Sequence, residues 1–153
     1  MIRPLGAVLA ASLLLLAPAA PSVAQETGVA QSLKAVPLSI ESRGKLRRYQ
    51  VEVAATPGQQ EIGLMFRKTM PTDHGMIFPM KPPRPVSFWM KNTWLSLDLI
   101  FIGPDKRIVR IAENAKPLSL DLIDCPEPVS AVLELNGGAA RAAGISVGDS
   151  VRW

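Results

Sequence analysis

The sequence predicts a mostly β fold: an antiparallel β-sandwich or barrel of about seven to eight short strands with two short helices. Three observations lead there. Apolar runs of strand length recur along the chain, each bounded by Gly, Pro, Asn or Asp clusters. Helix start signals occur at two places and open short segments. There is no βαβ rhythm and no internal repeat.

Taken in order, Val36–Ile40 and Leu46–Val53 read as strands separated by Ser42-Arg43-Gly44-Lys45. Leu46, Tyr49, Val51 and Val53 alternate imperfectly, as in a half-buried hairpin. Thr56-Pro57-Gly58-Gln59 announces a helix: Thr56 caps it, Pro57 suits the first position and Gln59 completes a capping box. Ile62, Met65 and Phe66 would share one face of that helix, and Gly63 shortens it. Pro71 to Gly75 is a turn, with Gly75 suited to positive φ. Met76–Phe78 is a short strand. Lys81-Pro82-Pro83-Arg84-Pro85 lacks ladder donors at its prolines, so an exposed connection or sheet edge is expected. Val86–Met90 resumes an extended pattern. Asp98–Ile102 and Lys106–Ala112 form a hairpin around Gly103-Pro104-Asp105. Glu113–Pro128 reads as a loop with a short turn at Leu118–Ile123. Val129–Leu135 is a strand, after which Asn136 caps a helix over Gly137–Ala143 that Gly144 terminates. A Gly148-Asp149 turn and a final strand close the chain.

The amino terminus has the pattern of a secretory signal. Arg3 is the positive region, Gly6–Ala17 the apolar region, Pro18 a breaker and Ser22-Val23-Ala24 a small-residue cleavage site. Residues 1–24 are therefore expected to be a signal peptide, 25–35 a polar, disordered leader and 36–153 a single β-rich domain. Cleavage after Ala24 leaves 129 of the 153 residues, enough for one unstapled core. Export to the periplasm or the extracellular space is the expected localisation. The formal charge of +4 is mild and scattered, densest at Arg43, Lys45, Arg47 and Arg48. Export and the lack of interleaved aromatics argue against nucleic acid. Cys125 is the one cysteine, so no intrachain disulfide forms; a half-buried thiol beside Pro126 is the expected state.

Function is sought in Val86–Ile102, where the polar island Lys91-Asn92-Thr93 and the lone carboxylate Asp98 interrupt dense apolar sequence. Arg67, Lys91, Asn92, Asp98 and Glu134 are candidates for a polar pocket, with cations for a ligand carboxylate or phosphate and an amide for orientation. Trp94, beside the island, is expected to be partly exposed, whereas Phe88 and Trp89 are expected in the core. The competing account is a folding clasp, with Asp98 and Glu134 balanced by Lys91 or Arg67. Two other classes remain open. Asp98 and Glu134 could form an acid–base pair on a glycan, with Trp94 as the sugar platform. Met65, Met70, Met76, Met80, Met90 and His74 could hold Cu(I), although methionines among aromatics are ordinary core filling.

Several motifs carry a resemblance. Gly63-Leu64-Met65-Phe66-Arg67, Gly75-Met76-Ile77-Phe78, Ser87 to Thr93 (SFWMKNT), Leu97-Asp98, Leu133 to Gly138 (LELNGG) and Gly148-Asp149 together resemble the family known as domain of unknown function 192. The resemblance runs from about Val51 to Trp153. It implies a small β-rich domain, often exported, with no established activity. The leading expectation is thus an exported, non-catalytic β domain that binds a small anionic or polar ligand, an envelope polymer or a protein partner, without a cofactor. An envelope hydrolase using Asp98 or Glu134 is the alternative, and copper handling the third reading.

Overall fold

A computed structural model describes residues 28–153; the signal segment read at 1–24 lies outside the described residues. The elements are β1 (Ala35–Ser42), β2 (Lys45–Val53), α1 (Pro57–Ile62), β3 (His74–Phe88), β4 (Leu97–Ile102), β5 (Ile108–Ala115), β6 (Ile123–Asn136), α2 (Ala139–Ala143) and β7 (Ser150–Arg152). The fold is mostly β, as expected, and its seven strands form one sheet in the order β5-β4-β6-β3-β2-β1-β7. That sheet curls into a half-barrel. Its two edges approach each other through an antiparallel bridge between Arg107 and Ser150, supported by the Ile108 and Val151 amides donating to the Asp149 and Lys106 carbonyls. Strong curling leaves little free edge for pairing with other chains.

The sheet is mixed, because β2 and β3 run parallel in register Gln50↔His74 to Val53↔Ile77. A parallel pair needs a crossover, and α1 with the loop after it supplies one. The described residues therefore include a β–α–β step that the pattern of short runs conceals. The predicted capping box at α1 is present, with Thr56 Oγ1 accepting from the Gln59 amide and Gln59 Oε1 accepting from the Thr56 amide. Gly63 ends this helix at φ 49°. Met65 and Phe66 thus lie beyond it, not on its face.

Two boundaries and the conformation of one glycine differ from expectation. β3 runs straight through the proline-rich segment and pairs with β6 on both sides of it. The ladder is interrupted between Pro79 and Arg84, where the missing donors would have been needed. β6 begins at Ile123, so the latter part of the expected loop is extended and pairs with Val86 to Phe88. Gly75 is not at positive φ; it is small because a Cβ there would lie 2.5 Å from the Glu134 carbonyl oxygen. Residues 28–34 form no helix or strand, yet the Gln31 side chain donates to the Gln59 and Gly63 carbonyls and so ties the segment to α1.

Each face of the sheet carries its own core. One holds Leu38, Ile40, Val51, Ile77, Ile100, Leu133 and Leu135, with Ala140 of α2. The other holds Met76, Phe78, Met80, Leu99, Phe101 and Val132, roofed by Leu64, Val86 and Met90. Strand alternation sends neighbouring residues into different cores, and this separation decides what the candidate residues can do. Among the described residues no helix is long and apolar enough to cross a membrane.

Candidate functional site

Asp98 is fully buried and its oxygens are occupied. Oδ1 accepts from the Asn114 amide (2.8 Å) and the Gly138 amide (2.9 Å), and Oδ2 from the Ala140 amide (2.9 Å). It caps α2 from 42 residues away and pins that helix to β5. Asn136, expected in that role, instead donates its side-chain amide to the Met70 and Pro71 carbonyls, and Gly138 is the N-cap without a side-chain cap bond. Asp98 is a clasp, held by backbone amides and not by the Lys91 or Arg67 expected from sequence.

Arg67 is also occupied elsewhere. Nη1 donates to Glu52 Oε1 (2.6 Å) and Nη2 to Glu52 Oε2 (2.8 Å) and the Gln31 carbonyl (2.6 Å). Burial alone would raise the Glu52 carboxyl, but the Arg67 hydrogen bonds, the Leu33 amide and the Arg67 charge together hold it below its ordinary value. This pair binds the segment before β1 to the domain. The bidentate fork foreseen for a ligand is spent on a protein carboxylate.

Lys91, Asn92 and Trp94 follow β3 in a loop whose backbone is tied to a second loop. The Met90 amide donates to the Ser119 carbonyl, and the Leu118 amide to the Thr93 carbonyl. Asn92 adopts φ 54°, a left-handed conformation that Asn tolerates, and its carbonyl accepts from the Phe66 amide. Trp94 is 47% exposed, in keeping with expectation. Trp89 is 46% exposed, which corrects its assignment to the core. Lys68 lies 5.8 Å over the Trp94 ring and Lys91 5.7 Å over the Trp89 ring.

Glu134 stands apart. It is buried in β6, between Met76 of β3 and Leu99 of β4 in the register of the sheet. No donor among the described residues bonds its carboxyl. Burial pushes that group up to about 8, so it is the neutral acid at pH 7. It lines a cavity of about 490 Å³ whose walls combine Leu64, Phe78, Met80, Val86 and Trp89 with the polar Gln60, Glu61, Arg84 and Thr93. Gln60 of α1 braces one wall by donating to the Ala54 and Pro79 carbonyls. The cavity is within the range of small-molecule pockets, which combine apolar walls with few polar groups.

The two candidate carboxylates therefore do not converge. Asp98 pairs with Leu135 and Glu134 with Leu99, so adjacent positions on neighbouring strands point to opposite faces of the sheet. Two carboxylates so placed cannot flank one glycosidic bond, and the acid–base pair has no common groove. Met76, Met80 and Met90 are buried in one core beside Phe78 and Phe101, and the His74 ring bonds Asp73 at 2.7 Å. Cys125 is fully buried, not half-buried; burial and the adjacent Glu127 raise its thiol above the ordinary value, which makes it unreactive. The pocket walls escaped sequence reasoning, although the one signal available was a Glu centred in the apolar run Ala131–Leu135.

Two solved structures resemble this one. A "putative transcription regulator" from Sinorhizobium meliloti 1021 matches with a TM-score of 0.78 and 44% identity, over 80% of this chain and 95% of that one. A protein of unknown function from Novosphingobium aromaticivorans DSM 12444 matches with a TM-score of 0.78 and 37% identity, over 88% of this chain and 100% of that one. A search of curated proteins finds no match. The family model DUF192, Uncharacterized ACR, matches residues 38–153, all of the half-barrel except the first three residues of β1. With sequence, fold and coverage in agreement, the chain belongs to the DUF192 family.

Proposed function

We propose that this chain is an exported, non-catalytic binding module whose site is the cavity above Glu134. Its ligand is a small, mostly apolar molecule carrying one hydrogen-bond acceptor. A single observation carries the reading: a buried carboxyl without a donor among the described residues, at a cavity of about 490 Å³ with mixed apolar and polar walls. The carboxyl opens on the cavity, where a ligand acceptor facing the neutral acid would add a hydrogen bond of roughly 0.5–1.5 kcal/mol. Perturbed titratable groups in clefts mark functional sites more often than chance. Trp89 and Ile62, both exposed and both lining the cavity, provide an apolar entrance.

Regulation of transcription, the description of the Sinorhizobium relative, has less support here. The two helices are six and five residues long, short for an element that reads a major groove.

The experiment is a titration of the protein with N-phenyl-1-naphthylamine, a neutral apolar fluorophore, followed by its emission. Saturable enhancement is expected, together with its loss in Val86→Trp, which fills the cavity, and its weakening in Trp89→Ala. Absence of saturation in the native chain, or equal enhancement in a folded Val86→Trp variant, would rule the pocket out.

A further inference from the structure

A second cleft lies on the other side of Gln60 and Met80, with a volume of about 850 Å³. Lys81, Arg84 and Lys106 all line it, and no Asp or Glu side chain does. Among the described residues none of these three cations has an ion pair, whereas Arg67, Arg141 and Arg152 each face a glutamate. The Lys106 ammonium sits 3.2 Å from the centroid of the Trp153 ring, a cation–π contact that holds it at the cleft wall. Lys106 is also at φ 65°, a left-handed backbone uncommon for lysine. Burial and then the Lys81 charge lower the Lys106 ammonium below its ordinary value, so the two cations are near enough to repel each other.

Like charges gathered without an acidic side chain among them raise the energy of the free protein, and an anion lowers it again. We propose that this cleft is an anion site for a phosphoryl dianion, held by Lys81, Arg84 and Lys106 with Trp153 as the fixed wall. A phosphoryl group fits better than a lone carboxylate because it presents three acceptor oxygens and close to two charges. The arginine fork and two ammoniums match that number. Arg84 also lines the Glu134 cavity. A phosphate bearing an apolar chain would accordingly reach both sites, whereas a free phosphate would occupy the cleft alone. The cleft proposal does not depend on the Glu134 reading.

The test is titration of the full chain with pyrophosphate and with decyl phosphate at low ionic strength, read by backbone amide shifts and by Trp153 emission. Saturable pyrophosphate binding is expected, with shifts centred on Lys81, Arg84, Lys106 and Trp153, and it should weaken as salt rises. Lys81→Gln with Lys106→Gln should reduce affinity about tenfold or more, in line with strong charge-assisted contacts. Lys68→Gln with Lys116→Gln removes the same net charge at the opposite end of the β4–β5 hairpin and should leave affinity within about twofold if local contacts dominate. Decyl phosphate binding more tightly than pyrophosphate identifies an amphiphile as the source, and equal affinity identifies a free phosphate. No saturable binding, or equal weakening by the two double variants, overturns the proposal.

Discussion

Glu134 and Asp98 look alike in sequence, each a carboxylate inside an apolar strand, and their neighbours give them opposite characters. Three backbone amides fill the oxygens of Asp98. Asp98→Asn would leave an NH₂ facing amide donors, and the domain should lose roughly 3 kcal/mol or more of stability in urea unfolding. Fluorophore binding in the Glu134 cavity should persist in conditions where that variant remains folded. Glu134 receives no such donors and holds its proton until about pH 8, against an ordinary value of 4.5. Between those values the unfolded chain releases the proton while the native chain keeps it. Stability should therefore fall as pH rises through that window and stop falling above it. Glu134→Gln removes the titration. Relative to the native chain, this variant should gain roughly 4 kcal/mol between pH 5 and pH 8. A constant difference across that range would mean that Glu134 ionises normally.

At the scale of elements, the helix at Pro57 was legible because its signals are local: cap, first-turn proline and capping-box glutamine lie within four residues. The second helix was placed nearly correctly, but its cap was misassigned. Asp98 reaches it across the sheet, and no short-range pattern encodes a bond between residues 42 apart. The proline-rich segment shows the converse error. Its missing donors do interrupt the ladder, as expected, yet flanking residues on both sides pair with β6 and the strand continues. The segment before β1 also depends on a long-range contact. Arg67→Ala should release it, lower stability by roughly 1.5–3 kcal/mol through the lost charge-assisted bonds, and raise hydrogen exchange at the Leu33 amide, which now donates to Glu52. Unchanged protection at Leu33 would show that the Arg67–Glu52 pair does not anchor the segment.

For the whole molecule, composition and strand punctuation pointed to a mostly β fold with two small helices, and the block from Ser87 to Thr93 with its companion motifs identified the family. Those features are written in residues close together in sequence, where periodicity and turn chemistry act. Which face of the sheet each polar residue meets was decided only by tertiary structure. The register of β4 against β6 sends Asp98 into one core and Glu134 into the other, a one-position difference that inverts a side chain's surroundings. Curling of the sheet then brings Lys106 of one edge region beside Trp153 at the chain end and across from the proline turn of β3. The sequence therefore specified the strands, while the cavity and the cationic cleft arose only where strands distant in the chain were folded against each other.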